Sequence, residues 1–192
     1  MVARLCGMER NADRTRKRIL VAATEEFAAR GIAGARVNRI AEEAGCNKAM
    51  LYAYFGSKDG LFDAVFTAYV DAYLGAVGFD PANLAEYAGR VFDYFEERPE
   101  HLRLAIWYRL ERPSGSRLEA ILAVNKSRLG DLEQAQRSGV VPAHFTAVEL
   151  LALLQAIATS WSSMNPEYGA AVPARADRRR AVVEAVRRLV SA

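Results

Sequence analysis

Between residues 47 and 58 the chain reads Asn-Lys-Ala-Met-Leu-Tyr-Ala-Tyr-Phe-Gly-Ser-Lys: two lysines, two tyrosines and no carboxylate. On a helix over 48–55, Leu51 and Phe55 point inward, and Asn47, Lys48, Ala49, Met50, Tyr52, Ala53 and Tyr54 stay at the surface. A face of cations and phenols without acids suits a polyanion, because phosphate would repel a carboxylate there. The roles divide by chemistry. Lys48, Tyr54 and Lys58 have the character of phosphate binders, which hold a protein in place. Ala49, Met50 and Tyr52 are the candidates for base edges, where sequence is read. Ala49 and Met50 offer only apolar contact, for example to a thymine methyl. The competing reading is a plain helical hairpin with tyrosines at its surface.

Three elements must position that face. A first helix is predicted over 13–30, where Ile19, Ala23 and Phe27 repeat at i, i+4, i+8 as one buried stripe. Gly31 follows and suits a left-handed cap. A second, short helix is predicted over 36–44, with Val37, Ile40, Ala41 and Ala44 on one face. Gly45 and Cys46 then turn the chain, and Asn47 can cap the third helix by accepting from its unpaired amides. Two short helices joined by a tight glycine turn and braced by a helix before them form a helix-turn-helix, whose second helix enters the DNA major groove.

The rest of the chain is helical in spacing too, without period-two alternation or repeats. Ser57 can cap a fourth helix whose apolar positions run from Leu61 to Tyr73. The pattern breaks over 75–81. Further helices are predicted over 82–98, 100–111, 117–138 and from Thr146 to about 164, where Thr146 and Glu149 make a capping box. A last helix opens with Pro173 as its first residue and runs to about 190. The expected fold is therefore all-α: a polar, frayed tail at 1–12, a helix-turn-helix head at 13–60, a connecting helix and boundary at 61–80, and a second helical domain at 81–192.

Composition agrees with a folded chain. The 192 residues are 52% hydrophobic and 26% charged, which supplies a core and excludes a disordered chain. The net charge of +3 conceals an uneven distribution: residues 1–60 hold 11 basic against 7 acidic groups, and the remainder 15 against 16. A basic first third points to an anionic partner at that end. Two cysteines cannot form a disulfide framework. No apolar run is long enough to span a membrane, and the N-terminus lacks a secretory h-region. The expected location is the cytoplasm, and Met8 is an alternative start.

The run from Thr15 to Phe66 resembles the N-terminal domain of TetR-family transcriptional regulators. The residues that carry the resemblance are Ile19, Ala22, Phe27 and Gly31, then Ile40-Ala41 and Ala44-Gly45. Leu51-Tyr52-x-Tyr54-Phe55-x-Ser57-Lys58-Asp59-x-Leu61 completes it. The resemblance implies a homodimer on a palindromic operator in double-stranded DNA and a C-terminal domain that senses a small-molecule effector. Lys48, Ala49 and Tyr52 would enter the groove, and Tyr54 and Lys58 would hold phosphates together with the start of the second helix. Three positions depart from the family pattern. Ala35 and Arg36 stand where Thr or Ser usually caps the second helix, Ala49 replaces a frequent glycine, and Cys46 a frequent valine. Arg36 could replace the phosphate contact, but Ala35 cannot cap.

The second domain resembles the family only in outline. The resemblance implies a dimer interface of the last two helices, with Leu150, Leu154, Ile157, Trp161, Val183, Val186 and Leu189 as candidates. Packing within one subunit is the alternative. Tyr94, His101, Trp107, Tyr108, Gln155 and Trp161 are candidates for an effector pocket, since aromatic walls with a few polar tips make such sites; ordinary core packing is the alternative. The two histidines, His101 and His144, have no metal-ligand spacing, and no phosphate loop or nucleophile elbow occurs. No enzymatic activity, metal or cofactor is expected. A redox role for Cys46 and a helical dimeric interaction protein whose head does not bind DNA are the remaining alternatives. The acid-free surface of the third helix argues against a degenerate head.

Overall fold

A computed structural model describes residues 2–112, 118–162 and 170–191, the side chains of 2–11 and 118–120 excepted. Among the described residues all regular structure is helical. In chain order the helices are α1 (Val2–Gly34, broken by a kink at Gly31), α2 (Val37–Glu43), α3 (Lys48–Phe55), α4 (Lys58–Ala76), α5 (Leu84–Glu97), α6 (Pro99–Glu111), α7 (Leu118–Arg137), α8 (Ala147–Thr159) and α9 (Arg175–Leu189). One turn of 3-10 helix, Pro81–Asn83, precedes α5. The helix expected over 13–30 instead starts at Val2, so the stretch expected as a frayed tail is helical in backbone. That stretch contains no proline and one glycine, so nothing in it breaks a helix started further on.

The chain divides into two compact units, and not sequentially. The first comprises Met1–Asp71 with Glu100–Gly115, the second Ala72–Pro99 with Ser116–Ala192. The sequence reading placed all of 81–192 together; the structure assigns nearly all of α6 to the head. Leu104 and Tyr108 are both buried, and Tyr108 lies against Phe62 and Phe66 of the head. Phe27 meets Phe62 edge-on at 5.1 Å, and Tyr108 stacks on Phe66 at 4.2 Å. Aromatic pairs of this kind add about 0.5–1.5 kcal/mol beyond the area they bury.

In the second unit α5 packs against α8 and α9. Charge aligns this packing. Arg178 of α9 grips Glu96 of α5 with two parallel bonds of 2.6 and 2.7 Å. Arg175 and Arg179 both pair with Asp93. Leu84, Tyr87, Val91, Leu150, Leu151, Leu154, Val182 and Val186 form the apolar interior. The capping box at Thr146 and Glu149 is present. Pro173, expected as the first residue of the last helix, lies one residue before the N-cap, Ala174. The apolar helix expected to reach about 164 ends at Thr159, and residues 163–169 lie outside the described residues. No single helix among the described residues is long and apolar enough to cross a membrane.

Candidate nucleic-acid interface

Helix α3 is anchored by one residue. Leu51 is fully buried, whereas Asn47, Lys48, Ala49, Met50, Tyr52 and Ala53 are exposed and Tyr54 and Phe55 are half-buried. Phe55, expected to point inward, keeps partial exposure with the Arg16 guanidinium 5.4 Å from its ring centre. An eight-residue helix held by a single leucine depends on its ends. At the start, Asn47 Oδ1 accepts the Met50 N–H at 2.7 Å. At the end, Gly56 donates to the Tyr52 carbonyl.

The turn before it is tight. The Cys46 N–H reaches the Ala41 carbonyl at 2.9 Å, and Gly45 takes φ +61°, a conformation that glycine adopts without steric cost. Burial pushes the Cys46 thiol up from its ordinary value, and the nearby Arg18 only partly opposes this. A raised value lowers the thiolate fraction, the form in which a cysteine reacts.

Helix α2 has no cap of its own. Its N-cap residue, Arg36, makes no side-chain capping bond. The cap comes from α1: Glu26 Oε1 accepts the Arg36 backbone N–H at 3.0 Å. Glu26 is 8% exposed and also faces Arg30 at 3.4 Å and Arg39 at 3.6 Å. The Arg36 side chain is exposed. Sequence reasoning missed Glu26, because a capping residue is sought next to the helix it caps and this one lies ten residues upstream.

Two further ties hold the end of α1. Gly31 takes φ +72°, and a Cβ there would lie 2.4 Å from Glu111 Oε1 and 2.9 Å from the Trp107 ring. The Glu111 carboxylate accepts the N–H groups of Ile32 at 3.1 Å and Ala33 at 2.8 Å, and the Trp107 indole donates to the Ala28 carbonyl at 3.2 Å. Lys58 Nζ donates to the carbonyls of Ala33 at 3.0 Å and Ala35 at 2.9 Å. Two of its three donors therefore fix the chain that leads into α2. Lys48, in contrast, makes no ion pair among the described residues and lies 5.8 Å from the Tyr52 ring centre.

The structure brings Asn47, Lys48, Ala49, Met50 and Tyr52 together on the outer surface of one helix, with Tyr54 half-buried beside them. The effector candidates are divided. His101, Trp107 and Tyr108 belong to the first unit, and Tyr94, Gln155 and Trp161 to the second. His101 lies 5.2 Å from the Tyr69 ring, Tyr108 stacks in the core, and Tyr94 is buried edge-on to Tyr73. Of the interface candidates, Leu150, Leu154 and Val186 are buried within the chain, and Ile157, Trp161, Val183 and Leu189 are half-buried.

Comparison with known proteins agrees with this geometry. A family model described as bacterial regulatory proteins, tetR family, matches residues 19–65. Another, described as tetracyclin repressor-like, C-terminal domain, matches residues 83–188. The HTH-type transcriptional repressor SCO4008 of Streptomyces coelicolor is 36% identical over 160 residues, covering 82% of this chain and 83% of that one. The HTH-type transcriptional repressor NicS of Pseudomonas putida is 35% identical over 100 residues, 48% of this chain and 47% of its own. The solved structure of SCO4942 from Streptomyces coelicolor is 42% identical and superposes with a TM-score of 0.84 over 91% of this chain and 97% of that chain.

Proposed function

The chain belongs to the TetR family of transcriptional regulators, and on that premise we propose that it is a ligand-responsive repressor, acting in the cytoplasm as a homodimer on a palindromic operator. The observation that carries this reading is the outer surface of α3: Lys48, Ala49, Met50 and Tyr52 are exposed on a helix without a carboxylate, behind a turn that can lay it in a major groove. Tyr52 and the apolar pair Ala49 and Met50 read bases. Lys48, Arg36 and Tyr54 hold phosphates, with Asn47 fixing the first turn. Lys58 acts chiefly by positioning the approach to α2.

Dimerisation is assigned to α8 and α9. Val148, Ala152 and Ala156 follow one another at four-residue spacing on the exposed side of α8, and Ala181 and Ala185 do so on α9. Small side chains on two helices let a second copy approach closely. The half-buried Ile157, Trp161, Val183 and Leu189 border this face, and Leu150, Leu154 and Val186 support it from within.

An effector bound in the second unit would act through α4, whose residues up to Asp71 belong to the first unit and from Ala72 to the second. A change in α4 alters the spacing of the two heads. The effector shifts the equilibrium only by its difference in affinity for the two states.

The reading is tested with Tyr52→Ala. Operator affinity should fall about tenfold or more, as for the loss of a base contact, while the dimer stays intact by sedimentation. Wild-type affinity in that variant contradicts the placement of α3.

A further inference from the structure

One charge inside the second unit has no counter-charge among the described residues. Arg128 of α7 is 6% exposed. Its guanidinium carbon lies 5.5 Å from the ring centre of Tyr73, 5.6 Å from Phe79 and 5.6 Å from Tyr87. Among the described residues it makes no hydrogen bond and no ion pair. Other arginines of this unit that lie over a ring also hold a carboxylate: Arg178 over Phe92 grips Glu96, and Arg98 over Tyr94 pairs with Glu97. Arg128 has the rings alone.

Ring faces attract a cation but supply no acceptor for the N–H donors of a guanidinium, and those of Arg128 keep contact with solvent. A guanidinium so enclosed, with rings around it and no carboxylate beside it, is placed to exchange that solvent for an anion. A planar fork of donors matches an oxyanion with two acceptor atoms. The surroundings narrow the choice further. The hydroxyls of Tyr73 and Tyr87 lie 3.5 Å apart at the same rings. Burial pushes the Tyr87 phenol far up from its ordinary value, so it remains a donor at neutral pH. The neighbouring Arg90 is engaged with the Gly78 carbonyl at 2.9 Å. One unpaired positive charge, phenol donors and aromatic walls suit a single negative charge on an apolar body.

We propose that Arg128, with the hydroxyls of Tyr73 and Tyr87, forms the anion-binding end of the effector site, and that the ligand is a carboxylate carried on an aromatic or aliphatic body. This rests on the reading of the protein as ligand-responsive and specifies the ligand's class.

The test uses the DNA-free, full-length protein. Benzoate and hexanoate serve as probes, benzamide and hexanamide as uncharged controls of the same shape, and inorganic phosphate as the alternative anion. Binding is followed by calorimetry and by the rise in unfolding temperature that any ligand of the native state produces. At least one carboxylate should bind at one per chain, at least tenfold more tightly than its amide and than phosphate. Arg128→Met should lose that preference and unfold at the same temperature as wild type or higher, because it removes an unneutralised buried charge. Should Arg128→Met fail to fold, Tyr87→Phe keeps the ring and should weaken the carboxylate at least threefold.

Equal binding of acid and amide, tighter binding of phosphate, no binding of either carboxylate, or an unchanged preference in both variants overturns the proposal. Because no DNA is present, failure of operator binding leaves this result standing. A carboxylate that binds without altering DNA affinity would retire the effector role while keeping the anion site.

Discussion

The carboxylate of Glu26 caps a helix that it does not belong to, accepting the backbone N–H of Arg36 at 3.0 Å. The first turn of α2 lacks a serine or threonine cap, and Glu26 supplies the acceptor from α1 while facing Arg30 and Arg39. Glu26→Ala should lower the unfolding free energy by about 1–2 kcal/mol, the range for loss of a helix cap in a largely buried setting. Glu26→Gln keeps an acceptor oxygen and should recover part of that loss. Chemical denaturation of the two variants checks the order, and equal stability of Glu26→Ala and wild type would show that the bond contributes nothing.

Lys48 and Lys58 look alike in sequence and differ in structure. Lys58 is tied to the carbonyls of Ala33 and Ala35, and Lys48 makes no ion pair among the described residues. Lys58→Ala should therefore cost stability, about 1 kcal/mol for charge-assisted bonds at a partly exposed site. Lys48→Ala should leave stability unchanged and reduce the salt dependence of DNA binding by about one unit of slope. Thermal unfolding beside a salt titration of DNA affinity separates the two. A larger loss of salt slope in Lys58→Ala than in Lys48→Ala would reverse the assignment.

The capping box of α8 predicts a pH dependence with a definite sign. Bonds from the Thr146 backbone and hydroxyl hold the Glu149 carboxyl below its ordinary value of 4.5. A carboxylate with a depressed folded value stabilises the protein above its unfolded value. That contribution is lost as pH falls through the lower folded value. Glu149→Gln should accordingly be less stable than wild type at pH 7, with the difference closing as pH falls below the ordinary value and through the lower folded one. A difference that persists unchanged into acid would assign the effect to shape rather than charge.

Much of the head is legible in the sequence, because its determinants are local. Asn47 caps the helix it precedes, Leu51 and Ile40 fall on period, and Gly31 and Gly45 mark left-handed turns. What escapes is set by contacts distant along the chain. Glu111 lies 79 residues from the Ile32 amide that it holds, and Trp107 the same distance from Ala28. Spacing alone therefore places α6 in the second domain, where its apolar residues read as pocket lining. Arg128 is hidden for a related reason: an arginine on a polar helix reads as surface, and only the meeting of Tyr73, Phe79 and Tyr87 shows that it is enclosed. In the interface set, helical period identifies the apolar side of α8 and α9, but it does not distinguish a side turned to the subunit's own core, as at Leu154 and Val186, from one left open, as at Val148 and Ala181.

If α3 is a recognition helix, the protein reads a DNA sequence as a dimer. Selection of bound duplexes from a random pool by the full-length protein at low salt, followed by sequencing, tests it directly. An enriched palindrome is expected, its half-sites about one helical turn apart or a small multiple of it, with weaker enrichment by the Tyr52→Ala protein. A folded dimer that enriches no sequence would rule out sequence reading by α3 and leave the head as a scaffold.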